Sequence, residues 1–385
     1  MRLGINTLFM VPGDVGGTET YLRETLVAAL KTFPEVEFIL FTNRENDELF
    51  RQICIDFAAV HFVNLNFNAS NRPLRILLEQ LKLPFVAKKY QLDLLWSPGY
   101  TAPFLSFYPQ AVTICDLQYK SYPEDMSWLE RCTLDLLVRG ACRRCDLVLA
   151  ISEFSRQEII RYRFAAPEKV HTVLLGVDET FAEDYSDEEK CITLTPLIDL
   201  DTPYILCVAH TYPHKKVDLL IDAFSDVMDS LPHNLVIVGR ARRGEELVVK
   251  AVSSCKDPSR VIRFMDGLPY RTLQLLYQSA DMFVLPSAYE GFGLPVVEAM
   301  MAGVPVVTTQ EASLKEVAGN KAFQVETISR KSLAEQIVLV ASLSPQERKR
   351  VIEDAKSWAA TFSWEKSVQR MFEVFQGRLC STDAS

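Results

Sequence analysis

Apolar residues fall into two kinds of run that alternate along the chain. Short continuous runs occupy residues 2–9, 37–42, 92–97, 111–115, 147–152 and 170–175 in the first half. In the second half they occupy 204–209, 234–239, 261–265, 282–285 and 304–308. Between them the apolar positions recur at three- and four-residue spacing, as in Leu22, Leu26, Ala29 and Leu30 after Thr18-Glu19, and again over about 126–143. Continuous runs bounded by turn residues read as strands buried on both faces, and the spaced ones read as helices. Repeated strand–helix alternation predicts an α/β fold built on parallel sheets, covered on both sides.

The alternation breaks over 178–202, where DETFAEDYSDEEK is acidic and TPLIDLDTP is punctuated by proline. Turn-rich polar composition predicts a linker or inserted loop. At 385 residues the chain is long enough for two domains. The expected division is an N-terminal Rossmann-like domain at 1–185, a linker at 186–202 and a C-terminal Rossmann-like domain at 203–362. A final amphipathic helix over 363–385 carries Val368, Met371, Phe372 and Phe375 and is expected to pack back across the domains. Two doubly wound domains predict a cleft, with ligands at the carboxyl ends of the strands.

Chemistry concentrates in residues 286–309, PSAYEGFGLPVVEAMMAGVPVVTT. A helix is predicted from Gly293 to Gly303, entered through a turn in which Gly291 and Gly293 flank Phe292, with Leu294 in its first turn. A strand, a glycine turn and a helix N-terminus expose unpaired N–H groups to an anion, most often phosphate. Glu290 stands before the glycines. Glu298 is the lone charge on an otherwise apolar helix, so it needs hydrogen-bond donors, which sugar hydroxyls or a neighbouring protein group would provide.

The loop after strand 204–209, HTYPHKKVDLLIDAF, places His210, His214, Lys215 and Lys216 at a strand's carboxyl end. Lys215 is the candidate phosphate cation; Lys216 reads as a solvated turn residue. Gly16-Gly17 repeats the glycine-before-helix arrangement in the first domain, where turn chemistry is an equally good reading. Asp116, at the end of strand 111–115, could orient a substrate hydroxyl, act as a base or cap the next turn. Asp199-Leu200-Asp201 has metal-diphosphate spacing but lies in the proline-flanked linker, and no metal site is expected.

Composition narrows the partners. The net charge of −9 is spread over both halves, which argues against a nucleic-acid binder. No apolar run is long enough to span a bilayer, and the N-terminus reads as a strand rather than a signal peptide. Nine cysteines, mostly in apolar runs, fit reduced thiols in a cytoplasmic protein. Cys142 and Cys145 form a CxxC without a second pair at zinc spacing. Residues 139–163 carry six arginines against three acids, a local excess that could touch anionic lipid at the inner membrane face, although a solvated helical face explains it as well.

EGFGLPVVEAMMAGVPVV closely resembles the E-x7-E signature of retaining nucleotide-sugar glycosyltransferases of the GT-B fold, group-1 type. The GG loop, CDLQYKSYPED, ISEFSRQEI, HTYPHKKVDLLIDAF, DMFVLPS and the tail FSW match family segments in the family's order, over nearly the whole chain. The resemblance implies that Glu290 contacts the transferred sugar, while backbone at 291–293 and on to Leu294 holds the sugar and diphosphate. It implies that Glu298 binds the ribose, that Lys215 faces the diphosphate, and that His210 and Asp116 belong to the catalytic surroundings, with Gly16 and Gly17 on the donor. Two positions depart from the family. His210 stands where arginine is common, and Cys115-Asp116 stands where His-Asp is common.

The expectation is a hexosyltransferase that retains anomeric configuration, needs no metal or cofactor, and takes a nucleotide diphosphate sugar as co-substrate. Its acceptor would be a glycan or lipid-linked glycan in polysaccharide assembly. The competing expectation, motivated by Cys115, is a non-catalytic nucleotide-sugar-binding subunit that supports a partner transferase.

Overall fold

The alternating runs form two all-parallel sheets in a computed structural model that describes residues 1–14 and 16–382. The first sheet has seven strands: β1 (Arg2–Asn6), β2 (Glu37–Thr42), β3 (Val60–Asn64), β4 (Leu94–Ser97), β5 (Gln110–Ile114), β6 (Leu147–Ala150) and β7 (Val170–Thr172), in the order β3-β2-β1-β4-β5-β6-β7. The second has six: β8 (Tyr204–Val208), β9 (Asn234–Val238), β10 (Val261–Phe264), β11 (Met282–Leu285), β12 (Val306–Thr309) and β13 (Phe323–Val325), in the order β10-β9-β8-β11-β12-β13. Strands β4, β5, β6 and β11 are buried at every position, as the continuous apolar runs require of strands covered on both faces.

Two compact units contain these sheets. The first comprises Met1–Gly176 and the segment from Ser363 onward; the second is Val177–Phe362. In the first unit, α1 (Gly17–Thr32) turns Tyr21, Leu22, Leu26, Ala29 and Leu30 inward. Further along come α2 (Arg72–Leu81), α3 (Leu83–Lys88) and α4 (Trp128–Arg144). A capping box between Ser127 and Glu130 starts α4, and Cys142 and Cys145 enter the apolar cluster beneath β5 and β6, so the CxxC is core. The C-terminal helix Trp364–Thr382 packs on α1 in this same unit: Phe372 stacks on Phe33 at 4.0 Å, and Arg378 Nη2 reaches Asp146 Oδ1 at 2.7 Å.

The stretch expected to be a linker is structured and belongs to the second unit, with the boundary at Gly176 rather than at 185. Phe181 is fully buried and meets Tyr277 edge-on at 5.3 Å. Residues 187–194 form α5 (Asp187–Leu194), which packs on a helix beginning at Tyr270 through Arg271 and Glu189, 2.6 Å apart. Acidic residues on the solvent side hid the apolar anchors Phe181, Tyr185, Leu194 and Ile198. Asp199 accepts from the backbone N–H of Asp201 and the hydroxyl of Thr202, which is turn chemistry. The remaining helices that matter here are α6 (Val217–Val227), α7 (Tyr270–Ser279) and α8 (Leu294–Met301).

Candidate active site

The strand order of the second sheet reverses between β8 and β11, which pair with each other. Loops leaving neighbouring strands at such a point diverge and open a crevice at their carboxyl ends. The loop after β8 carries His210 to Lys216, and the loop after β11 carries Ser287 to Gly293. The backbone N–H of Ala288 donates to the carbonyl of His214 at 2.7 Å, tying the two loops together. His214 itself is buried and stacks on Tyr212, which makes it a loop support.

Lys215 and Glu290 meet there. Lys215 Nζ donates to Glu290 Oε1 at 2.6 Å, and Ser287 Oγ donates to the same oxygen at 2.8 Å. Glu290 Oε2 takes no hydrogen bond among the described residues. The carbonyls of Glu290 and Phe292 both lie within hydrogen-bond distance of Ser313 Oγ, at 2.8 and 2.9 Å. Thr309 Oγ1 donates to the carbonyl of Ser287 at 2.7 Å. The turn is therefore held from behind by two hydroxyls, one at the end of β12 and one just after it.

Gly293 caps α8 at φ 100°, ψ 45°, a conformation open to glycine and strained for other residues. The backbone N–H groups of Phe292, Gly293 and Leu294 have no acceptor among the described residues. Three unpaired donors at a helix N-terminus form an anion site. Pro295 follows in the first turn, where its missing N–H costs nothing. The Phe292 side chain points the other way: it is buried against Phe362, edge-on at 5.7 Å, so only its backbone is available to a ligand.

Glu298 lies one turn into α8. Its Oε2 accepts from the hydroxyl of Tyr277 at 2.9 Å, and its Oε1 takes no donor among the described residues. Burial, helped by the Asp178 carboxylate, pushes the Glu298 carboxyl up to about 7 against the opposing hydrogen bond from Tyr277. Tyr277 thus supplies one of the donors the sequence called for, and the second oxygen is left for a ligand.

His210 Nδ1 accepts from the backbone N–H of Arg240 at 3.0 Å, so the ring is neutral with its proton on Nε2. Burial and the cations Arg242, Lys215 and Arg240 press its pKa down to about 4. Arg240 and Arg242, on the loop after β9, are neighbours that no motif or spacing singled out. That loop is fixed by the Arg242 N–H donating to Thr211 Oγ1 at 2.7 Å.

Gly16, Gly17, Cys115 and Asp116 lie together in the first unit. Gly16 caps α1 at φ 58°. Thr18, one residue beyond Gly17, hydrogen-bonds the buried thiol of Cys115, which burial and Asp116 push up to about 12. Asp116 Oδ1 accepts from the backbone N–H of Gln118 at 3.0 Å, and Oδ2 accepts from the hydroxyl of Tyr100 at 3.1 Å. The carboxylate caps the turn after β5 and holds Tyr100, whose φ of 69° marks a constrained loop. Among the described residues no three His, Cys, Asp or Glu side chains are grouped as for a metal.

Two units of doubly wound parallel sheet, one bearing an anion-binding turn flanked by Lys215 and two glutamates, define a GT-B glycosyltransferase framework. The family description "Glycosyl transferases group 1" matches residues 195–358, and "Glycosyltransferase Family 4" matches 15–181. Residues 195–358 thus fall within the group 1 glycosyltransferases and residues 15–181 within family 4. Among its relatives, O-antigen chain mannosyltransferase B of Escherichia coli is 28% identical over 232 residues, 60% of each chain. O-antigen chain mannosyltransferase RfbU of Salmonella typhimurium is 26% identical over 314 residues, covering 80% of this chain and 82% of its own. The crystal structure of Anabaena Alr3699/HepE in complex with UDP-glucose superposes with a TM-score of 0.74 over 98% of this chain and 100% of that one, at 21% identity, a likeness of fold. The match spans only 60% of the first of these relatives' length.

Proposed function

We propose that the protein is a retaining glycosyltransferase that moves a hexose from a nucleotide diphosphate sugar to an acceptor hydroxyl in glycan assembly. The observation that carries this reading is the turn at 290–294, where three unpaired amides adjoin the Lys215–Glu290 pair at the sheet's switch point. The diphosphate sits on the amides with Lys215 beside it. Glu290 Oε2 accepts from a hydroxyl of the sugar, and Glu298 Oε1 accepts from the ribose. In the transfer the anomeric carbon loses its bond to the β-phosphate oxygen and gains one to the acceptor oxygen on the same face. The acceptor proton passes to the departing phosphate. Charge developing on the diphosphate is met by Lys215 and the helix N-terminus, with His210 donating from Nε2. This arrangement supplies the stabilisation a metal would otherwise give, so no metal or other cofactor is required.

The relatives' names suggest mannose as the sugar and an O-antigen-type glycan, lipid-linked or free, as the acceptor. A thermal-shift panel of GDP-, UDP-, dTDP- and ADP-sugars, followed by assay of transfer or slow hydrolysis in excess EDTA, tests the reading. Stabilisation by GDP-mannose with EDTA-resistant turnover is expected. Activity that chelation abolishes and Mg²⁺ or Mn²⁺ restores would sink the metal-free account. Cys115 favours a second reading, a nucleotide-sugar-binding subunit; that reading requires binding in the panel with no turnover under any condition.

A further inference from the structure

The loop after β9 carries a cation to the same crevice from a neighbouring strand. Strands β8 and β9 run side by side, and their ends meet so closely at Gly239 that a Cβ there would lie 2.0 Å from the Ala209 carbonyl oxygen. Beyond that contact residues 240–244 run along 210–213. The backbone N–H of Arg240 donates to His210 Nδ1 at 3.0 Å, and that of Arg242 donates to Thr211 Oγ1 at 2.7 Å. Thr211 returns its own N–H to the Arg240 carbonyl at 3.2 Å, and its carbonyl accepts from the Gly244 N–H at 2.7 Å. A Cβ on Gly244 would lie only 2.7 Å from that carbonyl oxygen, so a glycine is needed for the loop to come this near. Four hydrogen bonds therefore hold the loop against His210 and Thr211, whatever the arginine side chains do.

Charge at this point is unbalanced. Glu245 opens the helix Glu245–Ser254 and is already committed. Its Oε2 accepts from the Thr211 hydroxyl at 2.9 Å, and both its oxygens accept from Nη2 of Arg263 on β10, at 2.8 and 3.0 Å. Arg242 is half-buried, and its guanidinium makes one hydrogen bond among the described residues, from Nη1 to the carbonyl of its neighbour Ala241 at 3.2 Å. It pairs with no carboxylate among those residues. Lys215, by contrast, is neutralised by Glu290 at 2.6 Å. His210, with Nδ1 filled, offers a single neutral N–H, and Arg242 is the strongest of the three cations acting on its ring. A cation held partly out of water without a counter-charge is unfavourable until an anion completes it.

We propose that Arg242 is a binding residue for the donor diphosphate, bringing from the loop after β9 the uncompensated charge that neutral His210 and Glu290-paired Lys215 do not supply. The proposal rests on the donor reading above. A guanidinium suits the task because its planar fork can hold two phosphate oxygens at once, where an ammonium acts as a point charge. The loop's backbone bonds to His210 and Thr211 fix where that fork begins.

Calorimetric titration of the full chain with inorganic pyrophosphate, and with GDP, tests the assignment without requiring turnover. Arg242→Gln is expected to weaken both ligands by on the order of ten-fold or more. Arg243→Gln removes the same charge from the exposed neighbouring position and is expected to stay within about two-fold of the native chain. Arg242→Lys, which keeps the charge and loses the fork, is expected to fall between them. Because Arg242→Gln removes an unpaired cation, its melting temperature without ligand should equal or exceed the native value, while the rise produced by pyrophosphate should shrink. A structural arginine would give the reverse, a lower unliganded melting temperature with the ligand-induced rise preserved, and that result overturns the proposal. So does an Arg242→Gln chain that binds as tightly as the native one, or one that loses no more than Arg243→Gln. Either outcome leaves the donor reading standing, whereas a native chain that binds neither pyrophosphate nor GDP would overturn the donor reading and this assignment together.

Discussion

Glu298 combines a burial-raised pKa with one unsatisfied oxygen, and the pair of facts fixes its pH behaviour. The folded carboxyl, at about 7, holds its proton more firmly than an unfolded glutamate does. Its contribution to stability is therefore fully present below the unfolded value and is lost as pH rises towards 7. Ribose hydroxyls donating to Oε1 favour the ionised form, so nucleotide affinity is expected to climb with pH through about 7 and then level off. Calorimetric titration of nucleotide should show that climb, and Glu298→Gln should flatten it. Above pH 7 the substitution should cost about ten- to a hundred-fold in affinity. Unchanged affinity in Glu298→Gln would remove Glu298 from the nucleotide site. Lys215 and Glu290 make a different kind of pair, largely buried and mutually neutralised. Lys215→Met alone leaves Glu290 uncompensated and is expected to cost about 3 kcal/mol of stability. Lys215→Met with Glu290→Gln should recover most of that in a denaturant titration. Transfer should stay at least about a hundred-fold down in both, because the charge facing the diphosphate is gone. Recovery of activity along with stability would assign the pair a purely structural role.

At the level of elements, the turn into α8 joins local backbone chemistry to the candidate site. Gly293→Ala would place a Cβ 2.7 Å from Leu314 Cδ2 at a φ of 100°. The strain, about 1–3 kcal/mol, is expected to appear as a lower melting temperature of the second unit and weaker nucleotide binding. A variant as stable and as tight-binding as the native chain would show that the turn tolerates a side chain. This turn was legible in the sequence because glycines, a following proline and an isolated glutamate are local signals. So were the strands buried on both faces, whose apolar runs are unbroken. Strand β3 escaped because it is a sheet-edge strand whose residues are half exposed and include His61, and β13 because three residues make no pattern. Residues 178–202 were misread because acidic side chains outnumber the apolar anchors that tie them to α7. Tyr277, Ser287 and Ser313 could not be singled out, since an aromatic in an amphipathic helix and serines near strand ends look like ordinary core and turn residues. Ser287 reaches Glu290 within one loop, whereas Ser313 comes to the turn because β12 pairs with β11, and Tyr277 comes to Glu298 because α7 packs on α8.

On the scale of the whole chain, the path of the polypeptide makes the first unit depend on residues that are synthesised after the second unit. The chain leaves that unit at Gly176, builds all of Val177–Phe362, and returns at Ser363 to complete it. Val368, Met371, Phe372 and Phe375 are each at most 1% exposed, and Phe33 of the first unit stacks on Phe372. Burying four such side chains contributes on the order of 6–12 kcal/mol, comparable to the roughly 5–15 kcal/mol that holds a domain folded. The second unit loses nothing comparable, because its sheet, the turn at 290–294 and the Lys215–Glu290 pair all lie within Val177–Phe362. A chain ending at Phe362 is therefore expected to keep nucleotide binding while its first unit unfolds. Limited proteolysis should cut the truncated chain throughout 1–176 and spare 177–362. Calorimetry should show one of two transitions lost, with the survivor still raised by nucleotide. Protection of 1–176 in the truncated chain would mean that α1 and its sheet are stable uncovered, and the C-terminal helix would then be an accessory to the first unit rather than part of its core.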